Sequence, residues 1–118
     1  MGTSSAGGVE RLLREFFAAE NSRDWRAYAR FLHPDVEWTL VDGSAERRIV
    51  GRAEYLSVIA AAYDDVTTTF RCLDMTVDQT RTRVASLLVD EAGERSLDVF
   101  DFDGDLIRRE WEFLLGPE

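Results

Sequence analysis

At 118 residues, 45% of them hydrophobic and 31% charged, the chain has the size of one domain and can bury roughly two thirds of its unfolded surface. Its 14 basic residues against 23 acidic ones leave a formal net charge of -9, which repels phosphate backbones and anionic lipid and so argues against nucleic acid or a membrane surface as partner. One cysteine and one histidine provide neither an intrachain disulfide nor a ligand set for zinc or another histidine-rich metal centre.

No apolar run approaches the roughly 20 residues that span a bilayer, and the start lacks a signal-peptide pattern, so the expected location is the cytoplasm. All the basic residues are arginine, a bias typical of a GC-rich bacterial genome. The opening MGTSSAGG, residues 1–8, reads as a disordered small-residue tail, leaving residues 9–118 as the domain.

From Val9 the apolar spacing is helical, with Val9, Leu12, Leu13, Phe16 and Phe17 followed in phase by Glu20. Asn21 to Asp24 interrupts it. A second short helix carries Trp25, Tyr28, Phe31 and Leu32 and stops at His33, because Pro34 disfavours helical geometry in the residue before it; His33 then reads as a cap on the last carbonyls. Asp35 to Val41 alternates as a strand with Val36, Trp38 and Leu40 on one face. Asp42 to Val50 reads as a polar loop, and Gly51 to Asp65 as a third helix with Leu56, Ile59, Ala60 and Tyr63 inward.

The remainder is β-rich: Thr67 to Val77, Arg83 to Asp90, Arg95 to Asp103 and Leu106 to Leu115. Cys72, mid-strand, reads as an inert buried thiol. An Asp-Gly turn at Asp103 and Gly104 sets Phe100 opposite Ile107, Asp98 opposite Arg109 and Ser96 opposite Trp111. A turn centred on Ala92 and Gly93 adds Leu87 and Val89 to that face, with Val84, Leu88, Leu97 and Val99 on the other. Three helices cover only one side of such a sheet, so the apolar outer face predicts a homodimer.

Together these elements make an α+β domain with helices packed on one sheet face. The stretches NSRDWRAYARFLHPDVEW, GRAEYLSVIAAAY and DVFDFDGDLIRREWEF resemble the nuclear transport factor two-like superfamily, and within it the SnoaL-like polyketide cyclase and ketosteroid isomerase group. The resemblance runs from Val9 to Leu115. It implies a cone: a curved mixed or antiparallel sheet wrapped around three helices in a cystatin-like roll, an apolar cavity open at the wide end, and dimerisation through the outer sheet face. Its members include isomerases, cyclases, epoxide hydrolases, dehydratases and non-catalytic modules, so fold alone does not choose among them.

Position by position, the resemblance places Asp98 where the isomerases keep a protonated acid for the substrate oxyanion, a role described generally for ketosteroid isomerase. Phe16 stands where they have a phenol donor and Leu40 where they have the base aspartate, so steroid isomerisation is not expected. Asp42, two residues beyond Leu40, is a displaced candidate base, and Asp74 a further candidate second carboxylate. With Arg109 opposite it, Asp98 is expected to be ionised. The cavity wall is expected to include Phe16, Trp38, Leu40, Tyr63, Phe70, Leu87, Phe100 and Trp111.

Two functions follow. One is a cofactor-independent enzyme that isomerises, cyclises or hydrates a small apolar oxygenated molecule, using Asp98, Arg109 and Asp42. The other is a dimeric ligand-binding or scaffold module in which Asp98 and Arg109 form only a structural bridge. No metal or cofactor is expected in either.

Overall fold

A computed structural model of the chain describes residues 8–117. Apart from Gly8, the tail expected over residues 1–8 lies outside the described residues. In chain order the elements are α1 (Gly8–Asn21), α2 (Trp25–Ala29), β1 (Leu32–Asp42), β2 (Ala45–Val50), α3 (Arg52–Ala62), β3 (Phe70–Val77), β4 (Arg83–Asp90), β5 (Glu94–Asp103) and β6 (Leu106–Pro117). The strands form one six-stranded curved sheet in the order β2-β1-β6-β5-β4-β3. All neighbours are antiparallel except β1 and β6, which run parallel. No helix among the described residues is long and apolar enough to cross a membrane.

The helices lie where the apolar stripes dictate. Leu13, Phe16 and Phe17 of α1, Tyr28 of α2, and Tyr55 and Ile59 of α3 are buried against Val84 and Leu88 of β4, Phe100 and Phe102 of β5, and Ile107 of β6. Phe16 stacks on Tyr28 at 4.1 Å between ring centres, and Phe100 meets Phe16 and Phe17 edge-on at 6.0 and 5.8 Å. Where α1 ends, the Asn21 side chain takes a strand-like role: its amide donates to the Phe70 carbonyl (2.8 Å) and accepts from the Phe70 N–H (3.0 Å). Asp24 then caps α2 by accepting from the Ala27 N–H.

Several boundaries differ from expectation. The polar loop predicted over Asp42 to Val50 is half of a hairpin: Asp42 faces Ala45 across Gly43 and Ser44, with Gly43 at φ 61°. Helix α2 stops at Ala29, not at His33, and β1 begins at Leu32. His33 therefore does not cap a helix; its Nδ1 accepts from the Asp35 N–H and its Nε2 lies 3.7 Å from Asp103.

The β5–β6 hairpin carries the correction with the largest consequence. Asp103 faces Leu106, so the two loop residues are Gly104 and Asp105, not Asp103 and Gly104; Gly104, at φ 62°, takes the first central position that favours glycine in a type II′ turn. That moves the pairing by two residues and would leave the faces unchanged. A bulge then follows, because Phe102 pairs with Ile107 but Asp101 pairs with Arg109, leaving Arg108 unopposed. From Arg109 to Leu114, before a second bulge at Leu115, the β6 side chains are exchanged between faces. Asp98 stands opposite Glu112, not Arg109, and Glu110 and Glu112 point inward while Arg109 and Trp111 lie on the outer face. The β4–β5 hairpin is offset by one residue for a related reason. Glu91, Ala92 and Gly93 form a three-residue loop with Gly93 at φ 88° and Asp90 accepting from the Ala92 and Glu94 N–H groups, so Ser86, not Leu87, faces Asp98. Val84 and Leu88 are inward, and Leu87, Leu97 and Val99 are outward.

Candidate functional site

A cavity of about 180 Å³ opens between the three helices and the concave sheet face. At ~30 Å³ per water it holds about six waters, or a ligand of comparable bulk. Of the eight wall residues named from the sequence, Trp38, Tyr63, Phe70 and Phe100 line it. Phe16, Leu40, Leu87 and Trp111 do not. Phe16 is 1% exposed within the aromatic core and Leu40 packs against that core; Leu87 and Trp111 are on the outer face because of the two register changes.

Asp98 is 4% exposed and lies at the cavity wall. Its neighbours are acids. Oxygens of Asp98, Glu110 and Glu112 lie within 4.8 Å of one another. Ser96 Oγ donates to Asp98 Oδ1 at 2.6 Å, and the Asp98 carboxyl lies beside that of Glu110. Tyr55 Oη donates a short hydrogen bond to Glu110 Oε1 and lies 3.1 Å from Tyr28 Oη. On the opposite wall, at the end of α1, Tyr63 Oη donates to Glu20 Oε2 at 2.6 Å. The Trp38 indole N–H beside Glu112 favours that residue's ionised form, yet Nε1 is buried without a hydrogen bond of good geometry.

Burial governs the titration of this group. Removal from water, and then the charge of Glu112, raise the Asp98 pKa well above the carboxylate range; burial, and then Asp98, do the same to Glu110. Two contacting carboxyl groups do not readily hold a charge at once, so the Asp98 and Glu110 pair shares a proton where an isolated carboxyl would have lost it. Glu112 rises to about 7 through burial, opposed by the Trp38 N–H; Glu20 rises to about 7 through burial, opposed by the Tyr63 hydroxyl. Among the described residues no ion pair joins an arginine to any of the four. The expected ionised Asp98 is therefore overturned, because its supposed counter-ion is on the other side of the sheet. Arg109 lies over the Trp111 ring at 4.6 Å, facing Asp101 in the strand pairing.

The other candidate carboxylates are outside the site. Asp42 is exposed at the end of β1. Asp74 is exposed too: a bulge between Cys72 and Asp74 turns it outward, and its Oδ1 accepts from the Met75 N–H. Cys72 is half-buried, its thiol donating to the Asp74 carbonyl and its pKa raised by burial, in keeping with an inert thiol. Sequence reasoning missed Glu20, Glu110 and Glu112 as site residues, and it does not choose among Tyr28, Tyr55 and Tyr63 as a hydroxyl donor to the cavity; all three line it. Two signals were present: Glu20 continues the apolar stripe of α1, and Glu110 and Glu112 alternate with Trp111 and Phe113 along a strand.

The three clustered carboxyls could span a hard cation, but a proton can also satisfy each of them, and the aromatic wall contributes no further oxygen ligands beyond hydroxyls. Chemically, the cluster combines a carboxyl pair that holds a proton able to be donated in a hydrogen bond with a carboxyl balanced near neutral pH, the two properties that proton transfer at carbon requires.

A family model for the SnoaL-like domain matches residues 13–110. The chain belongs to the SnoaL-like domain family. Solved structures place this SnoaL-like domain in the nuclear transport factor two-like, cystatin-like fold. A SnoaL-like protein of unknown function from Burkholderia thailandensis E264 superposes with TM-score 0.80 at 18% identity, over 94% of this chain and 97% of that one. A protein from Kribbella flavida DSM 17836, provisionally named a ketosteroid isomerase, gives TM-score 0.77 at 24% identity, over 94% and 80%. A Mycobacterium tuberculosis protein solved in complex with estradiol-17beta-hemisuccinate gives 0.75 at 14%, over 89% and 92%. At these identities the similarity establishes the fold of the SnoaL-like domain. Among curated proteins, none matches the sequence.

Proposed function

We propose that the cavity binds a small oxygenated molecule and catalyses proton transfer next to its carbonyl group, the step shared by double-bond isomerisation and aldol-type cyclisation. The carrying observation is the grouping of Asp98, Glu110 and Glu112 within 4.8 Å in one ligand-sized cavity. In this reading ionised Glu112 takes the proton from carbon, and the proton shared by Asp98 and Glu110 hydrogen-bonds the oxygen on which charge develops. Tyr55 and Ser96 hold that carboxyl pair in place. Neither Arg109 nor Asp42 takes part.

The test needs no knowledge of the natural substrate. In D2O at pD near 7, the protein is expected to exchange the protons next to the carbonyl of cyclohexanone or cyclohex-3-en-1-one faster than buffer, read by proton NMR. Glu112→Gln should slow that exchange about 10²- to 10⁴-fold, the usual contribution of a positioned base. Equal rates for the two proteins would remove the catalytic role. Binding of ketone without exchange would instead support the non-catalytic ligand-binding module.

The outer sheet face, with half-buried Leu97, Val99, Trp111 and Phe113 and no helix over it, is where this reading seats a second copy of the chain. Light scattering is expected to report a dimer mass, and Val99→Glu a monomer. A monomer mass for the unaltered protein would refute it.

A further inference from the structure

The electrostatic composition of the cavity narrows what can enter it, an inference that rests on the cavity being the ligand site. Six acidic side chains line it: Glu20, Asp90, Glu94, Asp98, Glu110 and Glu112. One arginine, Arg95, does so as well. Arg23, whose charge favours the ionised form of Glu20, makes no ion pair with it: it lies 4.0 Å over the Tyr63 ring and donates to the carbonyls of Glu20, Asn21, Val66 and Thr68. The chain as a whole carries -9, so its field favours the approach of cations over anions.

The remaining wall is aromatic, with Trp38, Tyr55, Tyr63 and Phe70 among its members. Carboxylates interleaved with aromatic rings are the two elements that recognise organic ammonium groups: the rings attract the cation through their quadrupoles, and the carboxylates supply the opposite charge. A hydrated metal ion would use the oxygens and gain nothing from the rings. Independently, the Trp38 indole N–H, on a side chain only 4% exposed, has no partner of good geometry within the protein. A ligand acceptor atom would satisfy it.

We infer that the ligand of this cavity is an organic ammonium ion that also carries an acceptor oxygen, seated with its charge between Glu20 and the Asp98, Glu110 and Glu112 cluster and its oxygen toward the Trp38 indole N–H. The positive charge supplies a counter-ion to Glu20 and Glu112, with neither of which any arginine forms an ion pair among the described residues.

Choline and its neutral carbon isostere 3,3-dimethylbutan-1-ol share shape and hydroxyl group and differ in charge, and both suit a cavity of this size. In calorimetric titrations at pH 7.5, choline is expected to bind at least tenfold more tightly than the isostere. In Glu20→Gln, which keeps an acceptor for Tyr63, that preference is expected to fall severalfold, with circular dichroism confirming the fold. The preference within the unaltered protein is the decisive reading, so a misfolded variant does not affect it. Equal or tighter binding of the isostere would overturn the inference, as would a rise in melting temperature with Mg2+ but not with choline. Ketone exchange that persists without a choline preference would overturn this inference alone; loss of both would overturn the acid–base reading with it.

Discussion

Raising the pH from about 4.5 to about 7 is expected to destabilise the folded protein, the reverse of the trend for a domain whose carboxylates are paired with cations. Glu20 and Glu112 titrate near 4.5 when unfolded and near 7 when folded, so across that window the unfolded chain has released protons that the folded one retains. Stability from these groups is complete below 4.5, declines through the window, and is lost above 7. A rise from 4.5 to about 7 corresponds to roughly 3 kcal/mol per group, an upper figure for coupled acids. Asp98 and Glu110, raised chiefly by burial, act in the same direction. Replacing Glu112 by Gln is accordingly expected to stabilise the protein by up to about 3 kcal/mol at pH 8 and to change little at pH 4.5. Urea unfolding at the two pH values measures this directly, and an unfolding midpoint that increased between pH 4.5 and 7 would contradict it. Below pH 4 the sign reverses. Asp78, held at about 2 chiefly by the Thr80 hydroxyl and then by the Arg83 N–H, loses its contribution as the pH falls through that value.

Phe100→Ala is the second large effect, and its sign is opposite. Phe100 is 1% exposed, bridges α1 to the sheet through Phe16 and Phe17, and lines the cavity two residues from Asp98. Removing it forfeits the transfer free energy of the ring and leaves a void, a change that costs about 3 to 5 kcal/mol for a buried aromatic. The void adjoins the existing cavity. The variant is therefore expected to unfold at much lower urea concentration and, where still folded, to admit bulkier ketones. A loss below about 1 kcal/mol would show that the ring is not the link between helix and sheet described here.

The helices were readable because their period is robust. A stripe such as Leu13, Phe16 and Phe17 keeps its meaning if a boundary moves by a turn, so the layer order, the inward Ile59 of α3 and the α+β class follow from spacing. Strand faces are less forgiving. A period of two means that any odd offset exchanges inside for outside, and both late hairpins contain one. At the β4–β5 turn the offset comes from a three-residue loop with Gly93 in a left-handed conformation; at β5–β6 it comes from Arg108, which bulges after the turn. Nothing in the local chemistry of DLIRREWEF announces that bulge. Asp98 itself was singled out from the hairpin register and then from the resemblance to the isomerase group, and it is buried at the cavity wall. Its partner was misassigned through Arg108, and with the partner its charge state.

The position of β6 has a further consequence. Residues 106–117 run between β1 and β5, near the middle of the sheet, and they bring both Glu110 and Glu112. A ribosome-bound nascent chain lacking this segment has two half-sheets with no seam and only Glu20 and Asp98 to dehydrate. The costly crowding of Asp98, Glu110 and Glu112 thus arises as β6 folds back on β5, whereas seating β6 beside β1 joins strands distant in sequence, which is the slower event. Any binding compound already present at that moment would act as a template for closure, and its concentration during synthesis would influence how much of the protein matures.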